Sequence, residues 1–214
     1  MKLKHILLTL VLALTTVAAT AQALKPATAA QQRDMTARIN KVASTTQSIT
    51  CNFTQVKTMS FLNEKLTSTG RMFYDNKGRL RWEYTKPYSY TFVIAGGKVL
   101  TRSGKTTQSI DLRSSRLFQN IAQMMLNSMT GRALTDTKQF KTALYTGSGE
   151  WVAVLTPVAR EVRNMFKTIK LHFDPRTAMV TRVDMVEKSG DTTVITLHNV
   201  KTGTRIDENV FSIR

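Results

Sequence analysis

The feature that most constrains this chain is a two-residue alternation of apolar and polar side chains, which recurs in short runs along most of its length. Such alternation is typical of strands that bury one face. The breaks between runs, as at 75–78 and 95–98, are too short for a parallel crossover. We therefore predict one antiparallel sheet that must curl or close. The predicted strands are 49–58, 66–74, 79–85, 90–94, 98–102, 107–112, 140–146, 150–156, 166–173, 179–187, 192–199 and 205–213.

Two segments have the helical period instead. The first covers 28–46 and has Met35, Ile39, Val42 and Ala43 on its apolar side. The second begins after the cap residues Ser114 and Ser115 and stops at Gly131. Its apolar side is rich in methionine and comprises Leu117, Ile121, Met124, Met125 and Met129.

The N-terminus has the pattern of a secretory signal peptide. A basic start at 1–5 precedes an apolar run at 6–19, and Ala19-Thr20-Ala21 provides a cleavage site. A membrane anchor is the alternative, but about 14 apolar residues fall short of the roughly 20 that span a bilayer. We therefore predict a cleaved signal peptide at 1–21, an exported protein and a single domain at 22–214, since no linker composition interrupts that range.

The charge is strongly positive and uneven. The signal segment carries two lysines and no acid, so the remaining chain keeps +15 of a formal net charge of +17. Residues 22–131 hold +11 of it and 132–214 hold +4. A basic sheet with aromatic residues, as at 79–84, could bind nucleic acid, but export argues against that partner. Anionic head groups or an acidic protein surface fit the same charge.

The chain lacks the residues of common catalytic and metal sites. Cys51 is its single cysteine and lies in a predicted strand, so we interpret it as a buried, inert thiol. His172 and His198 also lie in predicted strands and are interpreted as structural. The closely spaced acids are interpreted as solvated: Asp184, Glu187, Asp207 and Glu208. We therefore expect a binding protein with no enzymatic activity, no metal and no cofactor.

One face of the sheet is a candidate binding surface. Alternation places Leu80, Trp82 and Tyr84 on one side of their strand and the charged residues on the other. Large rings and methionines adapt to irregular apolar ligands such as acyl chains, although core packing is the alternative role for each side chain. The candidate cavity residues are Met72, Tyr74, Leu80, Trp82, Tyr84, Phe92 and Ile94 from the sheet, with Ile121, Met124 and Met125 from the second helix.

The order of several short motifs resembles that of the LolA-type periplasmic carriers of outer-membrane lipoproteins. The motifs are FTQVK at 53–57, GRMFY at 70–74, LRWEYTKP at 80–87, GGKVL at 96–100, LTP at 155–157 and NVF at 209–211. The similarity covers nearly the whole chain after the signal peptide. Gly96 stands where the family usually has Asp, and 75–78 reads DNKG where members often carry a basic residue followed by proline.

The resemblance implies a strongly curved, incomplete antiparallel barrel with a helical lid over a hydrophobic cavity. It also implies a monomeric periplasmic chaperone for acylated lipoproteins in outer-membrane biogenesis. Such a carrier receives its cargo from an inner-membrane ABC transporter complex and passes it to an outer-membrane acceptor. Because the motif at 75–78 differs, a basic side chain that controls the lid would have to come from Lys77 or Arg79.

Two other functions share this expected fold. One is a lipid-sensing regulatory module of the envelope-stress sensor type, which would form a stable complex with a membrane-anchored signalling partner. The other is a carrier for another amphiphile, such as an exported pigment or a glycolipid. The sequence alone leaves both open.

Overall fold

The structure is a computed structural model that describes residues 23–62, 64–114, 126, 127 and 130–212. The predicted signal peptide, and most of the predicted second helix with Ile121, Met124 and Met125, lie outside these residues. The described helices are α1 (Ala29–Thr45) and α2 (Arg160–Met165). The strands are β1 (Lys25–Pro26), β2 (Ser48–Met59), β3 (Glu64–Asp75), β4 (Arg79–Lys86), β5 (Tyr90–Ala95), β6 (Lys98–Ser103), β7 (Thr106–Asp111), β8 (Phe140–Gly147), β9 (Glu150–Pro157), β10 (Phe166–Asp174), β11 (Met179–Glu187) and β12 (Thr192–Thr202).

The described strands form one antiparallel sheet in the order β1-β8-β9-β10-β11-β12-β2-β3-β4-β5-β6-β7. From β2 to β7 and from β8 to β12, each strand pairs with the next along the chain, and the long pair between β12 and β2 joins the two halves. β1 and β7 lie at the edges, so the sheet does not close into a barrel. The predicted mainly β fold with an open antiparallel sheet is confirmed.

Strand register gathers the apolar residues on one side of the sheet, here called the inner face. Met72 is opposite Cys51 and Trp82, and Trp82 is in turn opposite Phe92. The same face continues through the second half of the sheet, where it carries Phe53, Leu197, Ile195, Val183, Leu171, Ala153 and Leu155. Most of these side chains are fully buried and belong to a single core cluster.

Helix α1 covers one end of the inner face and closely matches its prediction. It begins with a capping box, in which Thr28 and Gln31 satisfy each other's backbone N–H groups. Its buried side is formed by Met35, Ile39 and Ala43. Arg38 donates a hydrogen bond to the Pro175 carbonyl, which holds the helix beside the β10–β11 turn.

A glycine allows a further segment to pack beneath this helix. Gly131 has a φ of +80°, and a Cβ there would lie 2.7 Å from the Ile39 side chain. The short 3₁₀ helix Arg132–Thr135 follows it, and the Arg132 guanidinium donates to the Ala43 carbonyl at 3.0 Å. This segment therefore adds to the cover that α1 provides.

The predicted terminal strand at 205–213 is wrong. The chain instead forms a loop and the 3₁₀ helix Glu208–Phe211, which Asp207 caps through the Asn209 N–H. β12 already has β11 and β2 as neighbours, so the chain that follows it meets no free strand edge. This C-terminal segment packs on the outer face, where Arg81 donates to the carbonyls of Val210 and Ser212 at 3.2 and 3.3 Å.

The strand β1 and the helix α2 are among the short elements that were not predicted. Each is too brief to show a period of its own, at 2 and 6 residues. Among the helices of the described residues, none is long and apolar enough to cross a membrane.

Candidate functional site

The structure brings together the seven sheet residues that were predicted from the sequence to line a cavity. All seven lie on the inner face of β3, β4 and β5 in direct cross-strand register. Met72, Tyr74, Leu80, Trp82 and Ile94 are fully buried, whereas Tyr84 and Phe92 are half-buried. The three helical candidates lie outside the described residues, so the sheet side of the site is the part that has a structure.

Burial decreases along β4 toward one end of the sheet. Leu80 is completely buried, Trp82 is nearly so, and Tyr84 is half-buried. Tyr88, in the loop after β4, is 50% exposed. The inner face therefore changes from a closed core near α1 to an accessible aromatic surface at the β4–β5 loop.

A cluster of aromatic rings extends along this gradient of burial. Phe53 stacks on Trp82 with 4.2 Å between ring centroids, and it meets Tyr84 edge to face at 5.3 Å. Tyr84 in turn lies 6.1 Å from both Tyr88 and Tyr90. Contacts of this kind stabilise ring pairs beyond their buried area. The result is a continuous row of rings from the core to the surface.

Residues of the sequence motifs at 53–57 and 70–74 position the rings in this row. Phe53 provides the central ring, and the Gln55 side chain accepts a hydrogen bond from the Tyr84 hydroxyl at 2.9 Å. A Cβ at Gly70 would lie 2.6 Å from the Phe53 ring and 2.0 Å from the Glu83 carbonyl. Glycine is therefore required for the Phe53 ring to cross β3.

Sequence reasoning missed Phe53, Gln55 and Tyr90 as site residues. Phe53 and Gln55 were noted only as parts of a motif, although their alternation with Cys51 already placed them on one strand face. The second half of the inner face was also missed, because the pairing of β12 with β2 cannot be deduced from strand periods.

Polar groups lie at the accessible end of the inner face. The Lys57 ammonium group is 2.9 Å from the Glu187 carboxylate and 3.9 Å from that of Asp191. The Thr193 hydroxyl also donates to Glu187, at 3.3 Å. The Ser68 hydroxyl is buried and has no hydrogen-bond partner among the described residues. Charged and polar atoms thus border the apolar surface there.

Cys51 is buried, as predicted. Burial raises the pKa of its thiol to about 12, so the reactive thiolate is scarce near neutral pH. The side chain contributes to the core beside Met72. This environment is typical of a structural cysteine.

His172 is also structural, but it faces away from the inner face. Its ring nitrogens lie 3.1 Å from the carboxylates of Glu150 and Asp184. Burial raises the pKa of Asp184, but hydrogen bonds from His172 and Arg182 outweigh this effect and leave that pKa below its ordinary value. The group ties together β9, β10 and β11 on the outer face.

Lys77 and Arg79, the two basic candidates for control of a lid, have other partners. The Arg79 guanidinium binds the Asp75 carboxylate through two hydrogen bonds, at 2.8 and 2.6 Å. It also lies 4.5 Å over the Phe211 ring, and Lys77 pairs with Glu208 at 2.9 Å. Both side chains therefore hold the C-terminal segment and do not contact the inner face.

Comparisons with known proteins agree with this architecture. The family described as "Outer membrane lipoprotein carrier protein LolA" matches residues 44–214. A protein of Methylococcus capsulatus (strain ATCC 33009 / NCIMB 11132 / Bath), named outer-membrane lipoprotein carrier protein, is 24% identical over 174 residues, which are 81% of this chain and 80% of the relative.

Solved structures with the same fold include two with distant sequences. An uncharacterized conserved protein from Thermus thermophilus is 13% identical, with a TM-score of 0.51 over 84% of this chain and 91% of its own. The lipoprotein LppX of Mycobacterium tuberculosis is 8% identical, with a TM-score of 0.50 over 84% of this chain and 100% of its own. At these identities the likeness shows the fold alone.

Proposed function

Because this chain belongs to the LolA family of outer membrane lipoprotein carrier proteins, we propose that it binds the acyl chains of lipoproteins on its inner face and carries them from the inner to the outer membrane. The observation that carries the proposal is the row of rings from Trp82 through Phe53 and Tyr84 to Tyr88. Its gradient of burial gives an acyl chain an apolar path from the surface toward the core.

An acyl chain can be bound in this way without covalent chemistry, because burial of apolar surface supplies the binding free energy. Each methylene that leaves water for an apolar surface contributes about 0.8 kcal/mol, so one acyl chain supplies substantial affinity. We accordingly propose a binding protein with no enzymatic activity and no cofactor. The fully buried residues, Leu80 and Met72 among them, form the floor of the site. The half-buried Tyr84 and Phe92 are the candidate cavity residues of the sheet that remain accessible to an acyl chain.

The same proposal sets the location and the partners. The periplasm is where a carrier of this kind works, which agrees with the signal peptide predicted at 1–21. Its cargo is acylated lipoprotein, its donor is an inner-membrane ABC transporter complex, and its recipient is an outer-membrane acceptor. The sequence match to a lipoprotein carrier over 81% of the chain supports this assignment.

The test is release of lipoprotein from inner-membrane vesicles by the purified protein. Phe92 and Phe73 form a matched pair, since both are half-buried phenylalanines of the same sheet but lie on opposite faces. We expect Phe92→Glu to abolish release and Phe73→Glu to retain it. Equal release by both variants would contradict the proposed site.

Two other outcomes would favour the remaining functions. A stable complex with a membrane-anchored protein, with no release of lipoprotein, would favour a lipid-sensing regulatory module. Recovery of a pigment or glycolipid from the purified protein would favour a carrier for another amphiphile. Mass spectrometry of organic extracts, combined with native mass spectrometry of the intact complex, distinguishes these outcomes.

A further inference from the structure

The two ends of the sheet differ in the chemistry that they expose. Register places the β2–β3, β4–β5, β6–β7, β9–α2 and β11–β12 connections at one end, here called the loop rim. The β3–β4, β5–β6, β8–β9 and β10–β11 turns lie at the opposite end together with α1, here called the helix rim. The accessible end of the inner face opens at the loop rim.

Exposed apolar side chains concentrate on the loop rim. Phe61 and Leu62, at the tip of the β2–β3 hairpin, are 95% and 54% exposed. Leu66, Tyr88 and Val158 add further exposed apolar groups from this hairpin and two other connections. Among the described residues, the remaining exposed large hydrophobic side chain is Leu24, which precedes β1. Phe61 and Leu62 are neighbours at one tip, and exposed apolar groups that lie together mark an interaction surface.

The hairpin tip is held in place by its neighbour. The backbone N–H and the hydroxyl of Ser60 each donate to the Asp191 carboxylate at 3.0 Å. Lys57 lies 3.9 Å from the same carboxylate. These contacts join the β2–β3 and β11–β12 connections, so Phe61 projects from an anchored loop.

The loop rim also carries exposed positive charge. The loop rim has exposed basic side chains that form no ion pair within the described part of the chain: Lys65, Lys86, Lys105, Arg160, Arg163 and Lys188. Its exposed acids include Glu64 and Glu161. The loop rim therefore combines apolar tips with a net positive charge.

We propose that the loop rim docks on the surface of an anionic phospholipid bilayer, with Phe61 and Leu62 entering the interface and the basic side chains meeting lipid phosphates. Apolar and basic groups in this arrangement are typical of reversible membrane contact. The apolar groups stand on separate connections. A fluid bilayer surface accepts them together, whereas a protein partner would need a matching pocket for each.

Membrane docking goes beyond acyl-chain binding, because it needs no cargo. It would also direct the open end of the inner face, with Tyr88 beside it, toward the bilayer. The helix rim and the C-terminal segment would then face away from the membrane.

Flotation with lipid vesicles tests the proposal. We expect the protein to float with vesicles of phosphatidylethanolamine and phosphatidylglycerol and to remain unbound with pure phosphatidylcholine. The double variant Phe61→Ser/Leu62→Ser should weaken binding by about tenfold or more, and Lys188→Glu by about fivefold. Leu24→Ser and Lys201→Glu are controls of the same chemistry away from the loop rim, and they should bind like the unmodified protein.

A Phe61→Trp variant reports on the tip directly. Its added fluorescence should be quenched by brominated lipid in the anionic vesicles, whereas the same protein with Trp82 and Trp151 alone should show little change. No flotation of the unmodified protein, or equal flotation of the double variant, would overturn the proposal. Acyl-chain binding should persist in the double variant, so a failure of docking is distinguishable from a failure of the proposed carrier function.

Discussion

The rings of Phe53 and Trp82 stack with their centroids 4.2 Å apart, although the two residues belong to strands separated by β3. They meet across Gly70, which is opposite Phe53 on one side and Tyr84 on the other. The absence of a side chain at this one position lets a ring from β2 lie over β3 and reach β4. This crossing begins the row of rings that leads to the loop rim.

Gly70→Ala should therefore destabilise the protein. The added Cβ would lie 2.0 Å from the Glu83 carbonyl, so backbone must move. We expect a loss of about 3 kcal/mol in the free energy of unfolding, the upper part of the range for overpacking. Gly97→Ala is the control, because its φ of +71° costs about 1 kcal/mol but its Cβ would meet open space. Urea denaturation measures both, and equal losses would argue against the crossing.

Leu80 should behave as a floor residue of the inner face. It is fully buried and opposite both Tyr74 and Ile94. Leu80→Ala should lower the free energy of unfolding by about 3 kcal/mol through lost burial and a new cavity. Leu62→Ala, at an exposed site, should change it by less than about 0.5 kcal/mol. A small effect at Leu80 would show that this part of the face is loosely packed.

Asp184 should contribute to stability in a pH-dependent way. Burial raises its pKa, but hydrogen bonds from His172 and Arg182 outweigh burial and place the pKa below the ordinary value of 3.8. A carboxyl with a lowered pKa in the folded state stabilises that state above its pKa in the unfolded chain, and this contribution is lost as pH falls through the folded value.

The measurement is the free energy of unfolding from neutral pH down through pH 3.8 and below. We expect the acid-side loss of stability to be smaller in Asp184→Asn than in the unmodified protein. Asp34→Asn removes only an exposed ion pair with Arg38, at 3.9 Å, so it serves as the control and should alter the profile less than Asp184→Asn does. Superimposable profiles for all three proteins would contradict a role of Asp184 in the outer-face cluster.

The Cys51 thiol should resist modification in the native protein. Its pKa of about 12 and its burial both limit the thiolate that alkylating reagents attack. We expect iodoacetamide to label the native protein at pH 8 at less than about one tenth of the rate in denaturant. Equal rates would show that the core beside Met72 opens readily.

Local patterns were sufficient to predict most elements of this fold. The alternation around Leu80, Trp82 and Tyr84 identified both the strand and its buried face, and the period at Met35 and Ile39 identified α1. A two-residue period reports which side chains share a face, but it does not report which strands are neighbours. The pairing of β12 with β2, which brings Leu197 opposite Phe53, therefore had to come from the structure.

The same limit explains the terminal segment. Residues 205–213 have enough apolar side chains to suggest a strand, but β12 has neighbours on both sides and leaves no free edge nearby. Phe211 packs on the outer face beneath the Arg79 guanidinium instead. The exposure of Phe61 could not be predicted from the sequence either. An apolar residue in a turn can be exposed to solvent or packed against another segment, and the local pattern does not distinguish these cases.

Site-specific photocrosslinking tests the central claim, that the inner face holds acyl chains, most directly. Benzoylphenylalanine would replace Phe92 on the inner face or Phe73 on the outer face, and the protein would be irradiated after it has released lipoprotein from inner-membrane vesicles. We expect a crosslinked lipoprotein adduct from position 92 and none from position 73. Adducts from position 73 alone, or equally from both positions, would contradict it.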